Sequence, residues 1–122
     1  MKPWAQATKI DRPARWVWVY HSPPADSPLC NTGERSFPDP DLAEWIDRWK
    51  PDLVVCGHIH QAPWVSGGAW VDQRGSTWLI NAGHQAGPMP AHVVIDLDPA
   101  SGHATAEWVA LPDRDQIEMP LG

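Results

Sequence analysis

Two histidines directly after an apolar run are the residues of this sequence best suited to carry chemistry. Gly57-His58-Ile59-His60 follows residues 53–56, Leu-Val-Val-Cys, whose composition is typical of a buried strand. Side chains two residues apart in an extended chain point the same way, so His58 and His60 can reach one spot. We expect Gly57 to let the backbone bend there and approach a ligand closely. Because imidazole binds zinc, iron, nickel and similar metals, the pattern predicts a metal site and favours metal-dependent hydrolysis.

A strand, a long loop and a helix precede these histidines and are expected to position them. Residues 15–20 are rich in aromatic and β-branched residues and predict a buried strand. Residues 22–40 contain five prolines and predict a loop, which at this length is more often functional than idle. Residues 41–50 place apolar side chains at helical spacing, with Asp39 or Asp41 as the cap and Pro51 as the stop.

A third histidine is expected to join the first two. A connection of this length that contains a helix favours parallel strands and a right-handed crossover. His21 follows the first strand, while His58 and His60 follow the second, so all three should lie at one sheet edge. Open α/β sheets bind ligands outside the carboxyl ends of their strands. The topology therefore predicts three converging imidazoles.

The second half of the chain predicts antiparallel strands. Residues 69–72 and 76–80 flank a glycine turn, and residues 92–97 and 104–109 flank a turn with proline and glycine. His84 lies in a polar loop at a strand end, where it is a candidate substrate-side group. Trp64, next to a Gly-Gly turn, is a candidate wall of a substrate pocket. His92 and His103 are interpreted as ordinary polar residues.

Length and composition exclude several classes of protein. The 122 residues suffice for one domain, and a net charge of −6 without any Lys/Arg run argues against nucleic acid and anionic membranes as partners. The apolar runs are of strand length, and the start of the chain has no signal-peptide pattern, so the expected location is the cytoplasm. Cys30 and Cys56 are interpreted as free thiols, with Cys56 a small core residue.

The chain resembles the calcineurin-like metallophosphoesterases in two motifs. Tyr20-His21-Ser22-Pro23-Pro24 and Val55-Cys56-Gly57-His58-Ile59-His60 are similar to the last two motifs of that family, and the order and the intervening helix also match. Asn81-Ala82-Gly83 and the closing hairpin resemble the stretch that follows in the family. The resemblance extends from about Trp16 through Trp108.

The resemblance implies a fold, a cofactor and a set of residue roles. The expected fold is mixed α/β, a β-sandwich flanked by helices, with one βαβ unit followed by antiparallel strands. His21 and His58 would bind one metal of a dinuclear pair and His60 the other, the metals being manganese, iron, zinc or nickel. The metals of the family activate a water that attacks a phosphate mono- or diester. His84, Asn81 and Trp64 would lie on the substrate side.

The family's earlier motifs, Asp-x-His, Gly-Asp-x-x-Asp and Gly-Asn-His-Asp/Glu, are absent from this sequence. They would supply the bridging aspartate, the other ligands and the proton donor. The chain is therefore expected to be the C-terminal half of such a domain, inactive alone. Residues 1–14 would form a polar segment, residues 15–111 the domain part, and residues 112–122 a poorly ordered tail.

Two alternatives stay open. The chain could be a non-catalytic metal-binding or interaction module, whose exposed sheet edge pairs with itself or with a complementing chain. It could also be a mononuclear zinc hydrolase with three histidines and a water on the metal. Asp26, Asp52 and Asp72 are candidate extra carboxylates, although ordinary structural or solvated roles are favoured for all three.

Overall fold

The computed structural model describes residues 15–36, 39–110 and 113–121, which form one α-helix and seven strands in two sheets. This part of the chain is mixed α/β, as predicted, and most of its regular elements are strands. The elements in order are β1 (Val17–Val19), α1 (Pro40–Trp49), β2 (Leu53–Cys56), β3 (Val71–Arg74), β4 (Thr77–Asn81), β5 (His92–Leu97), β6 (His103–Val109) and β7 (Arg114–Pro120). Short 3-10 turns occur at Pro28–Cys30 and Ala62–Trp64. Within the described ranges, no helix has the length and apolar character needed to cross a membrane.

The first sheet has the strand order β1-β2-β4-β3 and brings three strand ends to one edge. β1 pairs parallel with β2, as predicted, and β2 pairs parallel with β4. β3 and β4 form the predicted antiparallel hairpin. The carboxyl ends of β1, β2 and β4 therefore share one edge of the sheet, and every candidate histidine follows one of them.

The helix forms where its sequence predicts. Of the two candidate caps, Asp39 is the one used: its side chain accepts a hydrogen bond of 2.9 Å from the backbone N–H of Leu42. Pro40 occupies the first helical position, where its missing N–H costs nothing. Lys50 ends the helix in a left-handed conformation, with φ 51°, and Pro51 follows.

Because side chains alternate between the two faces of the central strands, the core consists of two layers. Val54 and Cys56 of β2 face α1, while Leu53 and Val55 face the second sheet. The helix-side cluster comprises Leu29, Leu42, Ile46, Val54, Cys56 and Leu79. The cluster between the sheets comprises Leu53, Trp70, Ile80, Ala104, Ala106, Trp108, Ala110, Met119 and Leu121. The first sheet is thus packed on both faces. This packing holds in place the sheet edge at which the histidines lie.

The second sheet, with the order β5-β6-β7, corrects the prediction for the end of the chain. The expected hairpin of β5 and β6 is confirmed. The poorly ordered tail at 112–122 was a wrong prediction, because β7 pairs with β6 along its whole length. Met119 is 0% exposed and Leu121 is 5% exposed. The reason is that Ile117 and Met119 alternate with polar residues, so the acidic segment has one apolar face. The predicted polar segment at 1–14 lies outside the described residues.

Strand β1 also differs from its prediction. Residues 15–20 were expected to be buried, but Val17 is 44% exposed and Val19 is 85% exposed. Trp18 and Tyr20, which alternate with them, pack against the helix-side cluster. β1 is the outermost strand of its sheet, and the second sheet does not cover the face that carries the two valines.

Candidate metal centre

The structure brings four histidines to the shared strand edge, in two pairs. The ring centroids of His21 and His58 are 4.5 Å apart, and those of His60 and His84 are 5.1 Å apart. The rings of each pair are tilted by 44° and 55° respectively, so neither pair is stacked. All four side chains are exposed. The convergence of His21 with the Gly-His-x-His segment, predicted from topology, is therefore seen as a direct contact between His21 and His58.

Backbone hydrogen bonds extend the sheet ladder to the first pair. The N–H of Tyr20 donates to the carbonyl of Val55 at 2.9 Å, and the N–H of Gly57 donates to the carbonyl of His21 at 3.0 Å. The two segments thus stay paired as far as His21, two residues beyond β1, and Gly57, one residue beyond β2. This pairing is what places the His21 and His58 rings side by side.

The backbone bend in the Gly-His-x-His segment lies at His58 and not at Gly57. His58 has φ 68°, in the left-handed region, whereas Gly57 is not among the residues with positive φ. A Cβ on Gly57 would meet only the His21 carbonyl oxygen, at 3.8 Å, which is ordinary contact. The expectation that Gly57 supplies the conformational freedom is therefore wrong. A non-glycine residue held in this region costs about 1–3 kcal/mol, and such residues cluster at functional sites.

Asn81 ties three loops together beneath the histidines. It is 1% exposed, and its Nδ2 donates to the carbonyls of Ile59 at 2.9 Å and Leu29 at 3.2 Å. Its Oδ1 accepts a hydrogen bond of 3.0 Å from the N–H of Gly83. Asn81 thus joins the histidine segment, the proline-rich loop and the loop of His84. These contacts describe a positioning residue, and a substrate-side role for Asn81 stays a prediction.

A cavity of about 310 Å³ opens beside His58 and His60. Its other lining residues are Thr32, Ile59 and Gln61. Thr32 belongs to the proline-rich loop, which was expected to border a substrate, while Gln61 was not singled out. The sequence signal that could have identified Gln61 as a site residue is its position directly after His60.

Trp64 is not among the residues that line this cavity, and its ring contacts Trp108. Their ring centroids are 5.5 Å apart, and Trp64 packs on the cluster between the two sheets. Trp108 is itself fixed by a hydrogen bond of 2.9 Å from its Nε1 to the carbonyl of Ala82. A substrate-wall role for Trp64 stays a prediction, and its packing gives it a place in the core.

The candidate carboxylates serve other purposes. Asp52 is 6% exposed and accepts a hydrogen bond of 2.7 Å from the N–H of Trp16, which fixes the start of β1. Asp72 accepts a hydrogen bond of 3.0 Å from the hydroxyl of Ser27. Asp26 is exposed, with φ 62°. None of these contacts involves a histidine, so the ordinary roles favoured for these residues agree with their surroundings.

The thiol next to the histidine segment is not poised for reaction. Cys56 is 9% exposed, and burial raises its pKa to about 12, with a smaller contribution from nearby Cys30. Burial likewise raises the pKa of Cys30 to about 11. Both cysteines are free, and Cys56 packs in the helix-side cluster, as predicted. Cys30 is buried as well, which was not predicted.

Chemically, the edge offers imidazole nitrogen ligands in pairs. Among residues 15–36, 39–110 and 113–121, no group of three or more His, Cys, Asp or Glu is arranged to hold a metal ion. His21, His58 and His60 therefore do not form a ready three-ligand site, as a mononuclear zinc hydrolase would require. Two metals about 3.5–4 Å apart would also need an anionic bridge to offset their repulsion. The described part of the site fits one or two metals only with further ligands.

The chain was compared with protein-family models, curated proteins and solved structures, and none of the three comparisons gives a match.

Proposed function

We propose that this chain supplies the imidazole half of a metallophosphoesterase active site. His21 and His58 would hold one metal, and His60 would contribute to a second. The observation that carries the proposal is the contact of His21 with His58 across the ends of two adjacent parallel strands, with ring centroids 4.5 Å apart. It joins the two sequence segments on which the family resemblance rests.

The spacing of these rings suits a shared metal. With metal–nitrogen bonds of about 2.0–2.1 Å, two imidazoles on one ion have ring centroids about 4.5–5.2 Å apart for ligand angles between a right angle and the tetrahedral value. The strained backbone of His58 supports the same proposal, because non-glycine residues in the left-handed region cluster at functional sites.

In the complete enzyme, the metals would activate water for attack on the phosphorus of a phosphate mono- or diester. The described residues would orient the metals, and Thr32 and Gln61 would border the substrate beside His58 and His60. The bridging carboxylate and the proton donor would come from residues other than those described, in this polypeptide or in a complementing chain. In this proposal the fold is part of the family's β-sandwich, and the chain alone does not turn over substrate.

Metal content tests the proposal. The purified chain is equilibrated with Mn²⁺ or Zn²⁺, dialysed, and analysed for metal alongside His58→Ala and the control His103→Ala, whose histidine lies at the start of β6. We expect the parent chain and the control to retain equal metal and His58→Ala to retain less, because it lacks a ligand of one of the two proposed metals. Equal metal in all three would contradict the proposal. Manganese-dependent hydrolysis of a chromogenic phosphodiester by the pure chain, lost in His58→Ala, would contradict only the inactivity of the chain alone.

A second candidate function, an interaction module, is favoured by the apolar surface at β1. Val17, Val19 and Trp45 are 44%, 85% and 41% exposed. A groove of about 410 Å³ runs beside them, lined by Trp16, Trp18, Val19, Tyr20, Leu42 and Trp45. An exposed apolar edge strand is a template for pairing with another chain. Sedimentation velocity should reveal self-association, and a monodisperse monomer that binds no apolar dye would exclude this function.

A further inference from the structure

His84 contacts His60, although the sequence pattern that predicts metal binding does not include it. Their ring centroids are 5.1 Å apart, with a tilt of 55° between the planes, and both side chains are exposed. In the described part of the chain, the only histidine ring with a hydrogen bond is that of His92, whose Nδ1 lies 2.9 Å from the carbonyl oxygen of Pro90. The ring nitrogens of His60 and His84 are thus open to a ligand.

The backbone holds the two residues together. The N–H of His84 donates to the carbonyl of His60 at 3.0 Å. Gly83, with φ 74°, lies so close that an added Cβ would come within 2.8 Å of the same carbonyl oxygen and 2.7 Å of Pro63. Asn81 holds both loops from below, through Ile59 and Gly83. A pair of ligands fixed in this way loses little freedom on binding, which favours affinity.

We propose that His60 and His84 hold one divalent transition-metal ion between them, which makes His84 a metal ligand. The inference rests on the proposed function, because it gives the metal assigned there to His60 a second protein ligand. The separation of 5.1 Å falls within the range of about 4.5–5.2 Å set by two imidazoles on one ion. Two neutral imidazoles select zinc, nickel, cobalt or copper over magnesium and calcium, which prefer oxygen ligands.

The surroundings of the His60 and His84 rings differ from those of rings that are merely packed together. Packed rings would be shielded from water, whereas His60 and His84 are both exposed at the rim of the sheet edge. It is also distinct from the pair of His21 and His58, which is fixed by the ladder of β1 and β2 and not by the loop after β4. The edge therefore carries two separately built imidazole pairs.

Calorimetric titration of the full chain with Zn²⁺ alone tests the inference. The variants are His84→Ala, His60→Ala, the double variant and the control His103→Ala, with urea unfolding to verify that each is folded. We expect His84→Ala to weaken one Zn²⁺ site by at least about tenfold, since even outer-shell partners of ligands cost 10- to 100-fold. The double variant should bind as the single variants do, because all three lose the same site. His103→Ala should bind as the parent does.

The outcomes separate this inference from the proposed function. An unchanged Zn²⁺ affinity in His84→Ala, or a loss equal to that of His103→Ala, overturns the ligand role of His84. His58→Ala reports on the other pair: if it leaves Zn²⁺ binding intact while His84→Ala weakens it, the proposed function fails and the present inference stands. His84→Gln, which keeps a polar side chain of similar size, should show the same loss as His84→Ala.

Discussion

His58 combines a strained backbone with a candidate ligand, and the two properties can be separated by substitution. Its φ of 68° disfavours any residue with a Cβ, so His58→Gly should raise the free energy of unfolding by about 0.5–1 kcal/mol. The same change should remove Zn²⁺ binding by the pair of His21 and His58. Urea unfolding and Zn²⁺ titration measure the two effects.

Two further variants separate the effect of backbone strain from the loss of the candidate ligand. Lys50→Gly, at the end of α1 with φ 51°, should give a similar gain in stability with unchanged metal binding. His58→Ala should lose the metal without the gain in stability, because alanine retains the strain. If His58→Gly is less stable than His58→Ala, the left-handed conformation is not a source of strain.

Asn81 supports a second prediction at the scale of one residue. Asn81→Asp keeps the shape but replaces the Nδ2 donor, so the carbonyls of Ile59 and Leu29 would face an oxygen. We expect the free energy of unfolding to fall by about 1–3 kcal/mol, the usual cost of unsatisfied buried polar groups. Gln116→Glu makes the same charge change on an exposed residue of β7 and should have little effect. Equal losses in urea unfolding would show that charge, and not the buried amide, is responsible.

At the scale of the elements, an ion pair joins α1 to the hairpin of β3 and β4. Arg74 Nε and a terminal nitrogen donate to the two carboxylate oxygens of Asp47 at 2.8 and 2.9 Å. The hydrogen bond from Arg74 holds the pKa of Asp47 below its ordinary value of 3.8. A carboxyl with a lowered pKa stabilises the folded state above its ordinary pKa, and that contribution disappears as the pH falls through the lowered pKa.

Arg74→Gln should therefore reduce stability by at most about 1 kcal/mol at neutral pH, because the Asp47 side chain is 58% exposed and the pair is screened by water. The difference from the parent chain should be constant above about pH 5 and should shrink below about pH 4. Arg48→Gln removes the same charge from the exposed side of α1 and controls for net charge. A difference that persists at the lowest pH would assign the effect to packing of the arginine and not to the ion pair.

The elements also show which parts of the fold could be predicted from the sequence and which could not. The helix, the parallel pair of β1 and β2 and both hairpins follow from local patterns of capping, prolines and alternation, and these in turn bring His21 to His58. The pairing of His60 with His84 depends on β4 lying next to β2, which no local pattern specifies. The exposure of Val19 depends on which strand of the sheet is outermost. The formation of β7 depends on its pairing with β6. What sequence missed was set by which elements pair with or cover one another, and local patterns do not specify this.

At the scale of the whole molecule, the two sheets differ in what they leave uncovered. The first sheet is packed between α1 and the second sheet, yet the face of β1 that carries Val17 and Val19 lies beyond that cover. The histidine edge adjoins this same strand, because His21 follows β1 directly. A chain that covers β1 would consequently lie near the proposed metal centre, which also needs further ligands.

Val19→Lys tests whether the uncovered face drives association. A charge on an edge strand opposes pairing with another chain, so any self-association of the parent chain should be abolished, and binding of an apolar dye should fall. The matched control is Val94→Lys, on the edge strand β5 of the other sheet, where the valine is 55% exposed. Sedimentation velocity should find the control unchanged. At concentrations where the parent chain is monomeric, Zn²⁺ affinity should match the parent in both variants, because neither replaces a histidine. Equal loss of association in both variants would mean that general repulsion, and not the β1 face, governs assembly.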